Sequence, residues 1–226
     1  MNILVVAAHP DDEILGCGAT IARLSAEGHA VRIAILGEGS TSRVERRDDA
    51  NFHLVDELAA ASVRAAREVG AASVSLHGLP DNRFDHVDLL DIVKVVERLV
   101  DEHQPQTVFT HHGGDLNVDH RLTHQAVLTA TRPVPGQCTK EVYAFEVPSS
   151  TEWAFQRIEP AFRPSYFVDV APWLDRKLAA LAHYDAELRP FPHPRSPEAL
   201  SAIARRWGSV VGRPSVEAFE LVRQIV

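Results

Sequence analysis

The sequence predicts an α/β protein with a Rossmann-like, mostly parallel sheet flanked by helices and a C-terminal elaboration. Three observations carry that expectation. The first apolar run, "NILVVAA" at 2–8, is short, continuous and rich in β-branched residues. That pattern suits a strand buried on both faces of a parallel sheet. Such runs alternate with helical patterns four times before residue 133, which is the order of βαβ units. Clusters of histidine and acid then follow two of the runs directly, at the strand ends where open α/β sheets bind ligands.

The elements follow in order. "GATIARLSAEGH" (18–29) has helical spacing at Ile21, Ala22 and Leu24, with Gly28 as its stop. "AVRIAIL" (30–36) is a second strand, and the polar, glycine-bearing stretch 37–50 a long loop. "LVDELAAASVRAAREVG" (54–70) is an amphipathic helix ending at Gly70. "ASVSLHGLP" (72–80) reads as a strand and turn, and 87–105 as a helix stopped by Pro105. "QTVFTHH" (106–112) is a fourth strand, followed by a helix over 120–132. Beyond it, 140–147 and 165–170 read as strands, and 172–188 and 196–212 as helices. "VEAFELVRQIV" (216–226) closes the chain. With no repeat, low-complexity tract or linker in view, 1–226 is taken as one domain. Its core is 1–132, and its C-terminal elaboration 133–226.

Composition narrows the function. The 226 residues are 45% hydrophobic and 24% charged, an ordinary globular balance. A formal net charge of -8 argues against a general nucleic-acid binder. The two cysteines, Cys17 and Cys138, form no C-x-x-C pair, so no thiolate zinc site is expected. No signal peptide and no integral membrane segment are read, which makes the expected location cytoplasmic. A homo-oligomer is left open.

The chemistry starts at "AHPDDE" (8–13). Three consecutive acids beside a histidine repel one another, and a cation would relieve that repulsion. His9 and Asp12 stand three apart across a turn stiffened by Pro10, so both can converge on one point. Imidazole with carboxylate suits zinc, and iron(II) or cobalt could replace it. A third ligand is sought in "THHGGDLNVDH" (110–120), after the fourth strand. His120, opening a helix beside Asp119, is the expected one, with His124 as a rival to Asp12. Three protein ligands leave an open position, as in catalytic zinc sites. Asp11 stays free to take a proton from water. Ordinary readings stand beside these. An Asp-Asp pair also suits a solvated helix N-terminus, and the H-x-x-x-H of His120 and His124 also occurs on plain helical surfaces.

"AHPDDE", a following G-x-G, and "NVDHRLTHQAV" about 110 residues later resemble the LmbE-like, PIG-L-type family of zinc-dependent N-acetylglucosamine deacetylases. "GLPDNRF" (78–84) and the closing "PHPRS", "RWGSVVG" and "EAF" strings also look like that family. The resemblance implies a hydrolase that removes acetyl from an N-acetylated sugar. It implies His9, Asp12 and His120 as zinc ligands, Asp11 as general base and Asp119 as a supporting acid. One departure stands out. Where the commoner pattern is H-P-D-H, this chain has Asn117-Val118-Asp119-His120. Asparagine can donate a hydrogen bond to an oxyanion but cannot deliver a proton at neutral pH. Asp11 acting first as base and then as acid would fill that gap.

Asp81, Asn82 and Arg83 either form a plain turn or contact sugar hydroxyls, and the resemblance favours Asp81 as a substrate contact. His111 and His112 are expected to support the site or to lie in its loops. His193 and Arg195 could reach it from the C-terminal part. Arg43, Arg46 and Arg47 are expected on a solvated face, or beside a substrate phosphate. Two rivals remain, one of another class and one of the same chemistry. A phospho-receiver module needs an Asp at the tip of strand three, which "LHGLPD" does not offer. A metal-dependent amidase acting on a non-sugar or thiol-conjugate amide would use the same residues.

Overall fold

The computed structural model describes residues 1–226. Its strands are β1 (Asn2–Ala7), β2 (Ala30–Gly37), β3 (Ser73–Leu79), β4 (Thr107–His111), β5 (Glu141–Phe145), β6 (Tyr166–Asp169) and β7 (Val216–Gln224). Its helices are α1 (Asp12–Ala26), α2 (Phe52–Glu68), α3 (Leu89–His103), α4 (Val118–Ala130), α5 (Leu174–Leu181) and α6 (Pro197–Val211). They build one seven-stranded sheet in the order β3-β2-β1-β4-β5-β7-β6. The first five strands pair in parallel, and β7 runs antiparallel to β5 and β6. The α/β architecture read from the sequence is therefore the architecture present.

Strand alternation divides the core. Ile3, Val5 and Ala7 face one apolar layer, shared with residues of α1, α2 and α5. Leu4 and Val6 face the other, with Ile92, Val96 and Leu99 of α3 and Ala126 and Val127 of α4. A strand buried on both sides needs side chains that pack both ways, so β1 is apolar at every position from Ile3. β1 and β4 are neighbours, and from them the strand order runs outward in opposite directions. Their carboxyl ends therefore open a crevice at the topological switch point.

α1 starts earlier than its pattern suggested, at Asp12 rather than residue 18, and it breaks at Cys17 (φ −145°, ψ 22°). The break adjoins a close contact and has a distant compensation. Gly16 lies against the Phe145 ring, which any Cβ there would strike. Past the break, the Ala19 and Thr20 amides donate to the Glu217 carboxylate at 3.2 and 2.6 Å. On the near side, Lys177 Nζ donates to the Leu15 carbonyl at 2.8 Å and to Glu217 at 2.6 Å. The groups that a broken helix orphans are thus met by β7 and α5.

Other boundaries also differ. The loop over 37–50 contains two single 3₁₀ turns, Thr41–Arg43 and Arg47–Asp49. The helix expected over 172–188 ends at Leu181 and continues as a 3₁₀ segment, Ala182–Glu187, broken at Tyr184. There the Tyr184 side chain is anchored, its hydroxyl donating to Glu13 at 2.6 Å. The closing stretch 216–226 supplies β7. No helix is long and apolar enough to cross a membrane.

Lys177 and Glu217 are both buried, and removing one member of a buried ion pair strands the other. Lys177→Met should lower the unfolding free energy by about 3–5 kcal/mol in a urea titration. A loss below about 1 kcal/mol would show the pair to be solvated.

Candidate active site

β1 ends at Ala7, and the turn that follows aims a cluster of polar groups into the crevice. Asp11 adopts a left-handed backbone conformation (φ 101°, ψ −27°) immediately before α1. Such a conformation costs a non-glycine residue about 1–3 kcal/mol, and residues held that way gather at functional sites. It separates the two neighbouring carboxylates. Asp12 turns inward, where its Oδ2 accepts from the His9 amide at 2.9 Å. Asp11 turns toward Arg195, whose Nη1 donates to it at 2.7 Å.

Three expected residues meet at one point. Asp12 Oδ2 lies 3.2 Å from His9 Nδ1 and 3.2 Å from His120 Nε2. One ligand atom from each of His9, Asp12 and His120 falls within 4.8 Å of the others. Two imidazoles and a carboxylate are the donor set of a borderline divalent ion. Asp12 Oδ1 is buried and has no hydrogen-bond partner, an acceptor left free for a cation. The residues therefore fit a metal ion.

Each imidazole is oriented from behind by a carboxylate. His120 Nδ1 lies 3.1 Å from Asp115 Oδ1. Asp115 in turn accepts from the Ser150 and Thr151 hydroxyls and the Asn117 amide. His9 Nε2 lies 2.9 Å from Asp119 Oδ2, and the other Asp119 oxygen accepts from the Phe84 amide. Asp119 thus backs His9 across the crevice rather than its own neighbour His120. Carboxylates in this position fix the tautomer and orientation of a ligating ring.

The electrostatics follow from burial against charge. Burial alone would lower His9, but Asp119, Asp12 and Asp81 outweigh it and hold its pKa well above the usual value. Burial likewise opposes protonation of His120, yet Asp12 and Asp115 push it up to about 9. Burial would raise Asp12, and the facing imidazoles hold it well below the usual carboxylate range. Burial pushes Asp11 well above that range, and the Arg195 guanidinium opposes the rise. The cluster demands positive charge at its centre.

The remaining expectations fall in different places. Asp81 is buried, and its Oδ2 accepts from the Ser42 amide and hydroxyl at 3.0 and 2.6 Å. Its Oδ1 lies 3.4 Å from His9 Nε2. Asn82 is exposed at the mouth, where its Oδ1 accepts from Asn117 Nδ2 at 2.8 Å. Both line a cavity of about 220 Å³ with His9, Asp11, Asp12 and His120. Arg83 is not on that lining and donates to the Glu45 carbonyl instead. Asn117 caps α4 by accepting from the Asp119 amide at 2.8 Å, and it also faces the cavity.

His111 accepts from the Ala8 amide at 2.8 Å and stacks on His120, with ring centroids 4.0 Å apart. Burial lowers its pKa, and a neutral ring suits that acceptor role. His112 points elsewhere, to Glu220 at 2.6 Å and the Pro160 carbonyl at 2.8 Å. His124 donates to the His111 carbonyl at 2.8 Å and stands outside the ligand cluster. Arg195 does reach the site, bridging Asp11 and Ser149 Oγ. Asp115, Ser150 and Thr151 were given no role by the sequence reading. The only sequence signal was Asp115's place within the histidine–acid cluster after β4.

Asp115→Asn keeps the shape behind His120 and removes the charge. Loss of such a partner typically weakens metal affinity ~10–100-fold. Competition against a chelator should show that loss, while His124→Ala should bind as tightly as the parent.

Comparison with known proteins places the sequence and the fold among relatives. The family described as "PIG-L: GlcNAc-PI de-N-acetylase" matches residues 4–131, more than half of the chain. An uncharacterized deacetylase, YaiS, of Escherichia coli K12 is 28% identical, covering 80% of this chain and 88% of its own. The 1D-myo-inositol 2-acetamido-2-deoxy-alpha-D-glucopyranoside deacetylase of Mycobacteroides abscessus is 26% identical, over 79% and 74% of the two chains. Among solved structures, the 4-carboxy-2-hydroxymuconate hydratase GalB of Pseudomonas putida KT2440 superposes with a TM-score of 0.78 at 23% identity, covering 100% and 97%. That likeness shows a shared fold, and a fold does not by itself set the reaction. The match over 4–131 does set the family: the chain belongs to the PIG-L de-N-acetylases, hydrolases of N-acetyl groups.

Proposed function

We propose that this protein is a metal-dependent N-deacetylase acting on an N-acetylglucosamine-type sugar in a glycoconjugate, nucleotide sugar or natural-product precursor. The observation that carries the reading is the convergence of His9, Asp12 and His120 beside a carboxylate, Asp11, that is not spent as a ligand. The Mycobacteroides relative, named for a 2-acetamido-2-deoxy-glucopyranoside, supports the sugar class. Zinc is the ion this donor set favours, with iron(II) or cobalt as substitutes. A cytoplasmic location agrees with two cysteines that form no disulfide.

His9, Asp12 and His120 would hold the ion, which when bound supplies a Lewis acid for the acetamide carbonyl and acidifies water. Asp11 takes the proton of the attacking water. A carboxyl there can keep that proton and return it to the departing amine, after which acetate leaves. Arg195 holds the Asp11 carboxylate toward the cavity. Asn117 Nδ2 retains a second N–H beyond the one given to Asn82, and that N–H donates to the tetrahedral oxyanion. Asp81 and Asn82 meet sugar hydroxyls at the mouth. Arg83 acts indirectly, by anchoring the 41–50 loop through the Glu45 carbonyl.

Acetate release from a panel of N-acetylated sugars, nucleotide sugars and lipid-linked glycans tests the reading. Release from at least one sugar is expected. Failure of every sugar, with turnover of a non-sugar or thiol-conjugate amide, would move the protein to that substrate class. Asp11→Asn should lower turnover by ~10²–10⁴-fold with metal content retained. Near-parental turnover would remove Asp11 from the chemistry.

Asn117 has a structural duty as well, so its test needs a substitution that spares it. Serine caps helices as well as asparagine does but is too short to replace Nδ2. Asn117→Ser should therefore keep the melting temperature while lowering turnover by ~10²–10³-fold. Parental turnover would leave residue 117 with the cap alone.

A further inference from the structure

Glu13 belongs to the "AHPDDE" turn yet takes no part in the metal-ligand cluster. It is the second residue of α1 and is wholly buried. Both of its carboxylate oxygens are engaged. Oε2 accepts from the Asp11 backbone amide at 3.1 Å, and Oε1 accepts from the Tyr184 hydroxyl at 2.6 Å. Tyr184 is itself buried, in the apolar layer that β1 shares with α1, α2 and α5. Glu13 is therefore fixed from the interior, and it grips the residue before α1 by its backbone.

The grip matters because of what Asp11 would otherwise do. Asp11 is the N-cap of α1. An aspartate at that position ordinarily has an extended backbone and directs its carboxylate to an amide two or three residues ahead. Here the backbone is left-handed, and the side chain makes no capping bond. It faces Arg195 and the cavity instead. A capping box ties the N-cap amide to a glutamate of the first turn and the N-cap side chain to a helix amide. This turn has the first half, from the second helical residue, and lacks the other half. The ordinary cap is thus the competing arrangement, with the Asp11 carboxylate withdrawn from the cavity. A left-handed aspartate is strained and persists only where its surroundings hold it. Arg195 holds the carboxylate end and Glu13 the amide end.

We propose that Glu13 is the positioning residue of the general base: anchored by Tyr184, it locks the Asp11 amide so that the Asp11 carboxylate faces the cavity instead of capping α1. This role rests on the reading of Asp11 as the base. Glu13 takes no proton in the reaction and acts through Asp11. With it in place, one turn delivers Asp12 to the metal ligands and Asp11 to the water.

The test is a double-mutant cycle with Asp11→Asn, read as kcat for acetate release from the panel member the parent uses best. Glu13→Met keeps the packed volume and removes the acceptor. It should lower kcat by ~10²-fold, the scale of a misplaced catalytic group. KM, and metal affinity measured against a chelator, should stay near parental. Glu13→Gln still offers a carbonyl to the Asp11 amide and should restore most of kcat. In the Asp11→Asn background Glu13→Met should lower kcat no further, because residues that act as a unit are not additive. Should Glu13→Met not fold, Tyr184→Phe takes its place in the cycle, since it removes only the hydroxyl that anchors Glu13. An equal loss in both backgrounds, a loss shared by Glu13→Gln, or a metal affinity that falls in step with kcat would overturn the role. A crystal structure of Glu13→Met decides without any substrate. Asp11 should leave the left-handed region and cap α1, whereas a φ still near 101° with the Arg195 contact intact would overturn the role as well. Near-parental kcat in Asp11→Asn alone would instead remove the base reading beneath it.

Discussion

Five aspartates, Asp11, Asp12, Asp81, Asp115 and Asp119, are buried around one crevice, and buried charge must be compensated. Two imidazoles and one guanidinium face them. A carboxylate removed from water without a partner would neutralise itself by taking up a proton. Here the carboxylates are given specific donors: Asp115 two hydroxyls, Asp119 a backbone amide, Asp81 a serine, Asp11 an arginine. Asp12 alone keeps a buried oxygen with no partner. The whole cluster is arranged so that its unmet negative potential points to one place.

The architecture follows from that need. The crevice exists because β1 and β4 are adjacent at the point where strand order diverges. There the turn after the first strand and the start of the helix after the fourth bring His9, Asp12 and His120 together. The C-terminal strands and helices complete the arrangement. Arg195 neutralises Asp11, and Ser150 and Thr151 fix Asp115. Glu217 and Lys177 hold the two halves of the helix that carries Asp12.

Much of this was legible in the sequence because it is local. The β/α alternation shows in apolar period, and "AHPDDE" and "NVDH" carry the convergent residues within short strings. What was not legible depends on partners distant in sequence. The break at Cys17 has its compensation at Glu217, 200 residues away, so the pattern around Ile21 suggested only the second half of α1. Asp119 adjoins His120 in the chain yet serves His9, because successive helical residues face different ways. His112 follows His111 but points to the opposite side of the strand end, toward Glu220. The turn at "PDNR" was read as a single unit, and its members divide between cavity and loop.

The split in α1 also bears on the order in which the molecule can be made. Chains emerge from synthesis amino end first, and early segments begin to fold before later ones exist. The "AHPDDE" turn is among the first residues produced, yet the helix behind it keeps open backbone groups until Glu217 arrives near the other end. The Asp11 carboxylate waits in the same way for Arg195. A chain truncated before its last strand would keep His9, Asp12 and His120 while lacking Glu217, the partner that meets the broken helix.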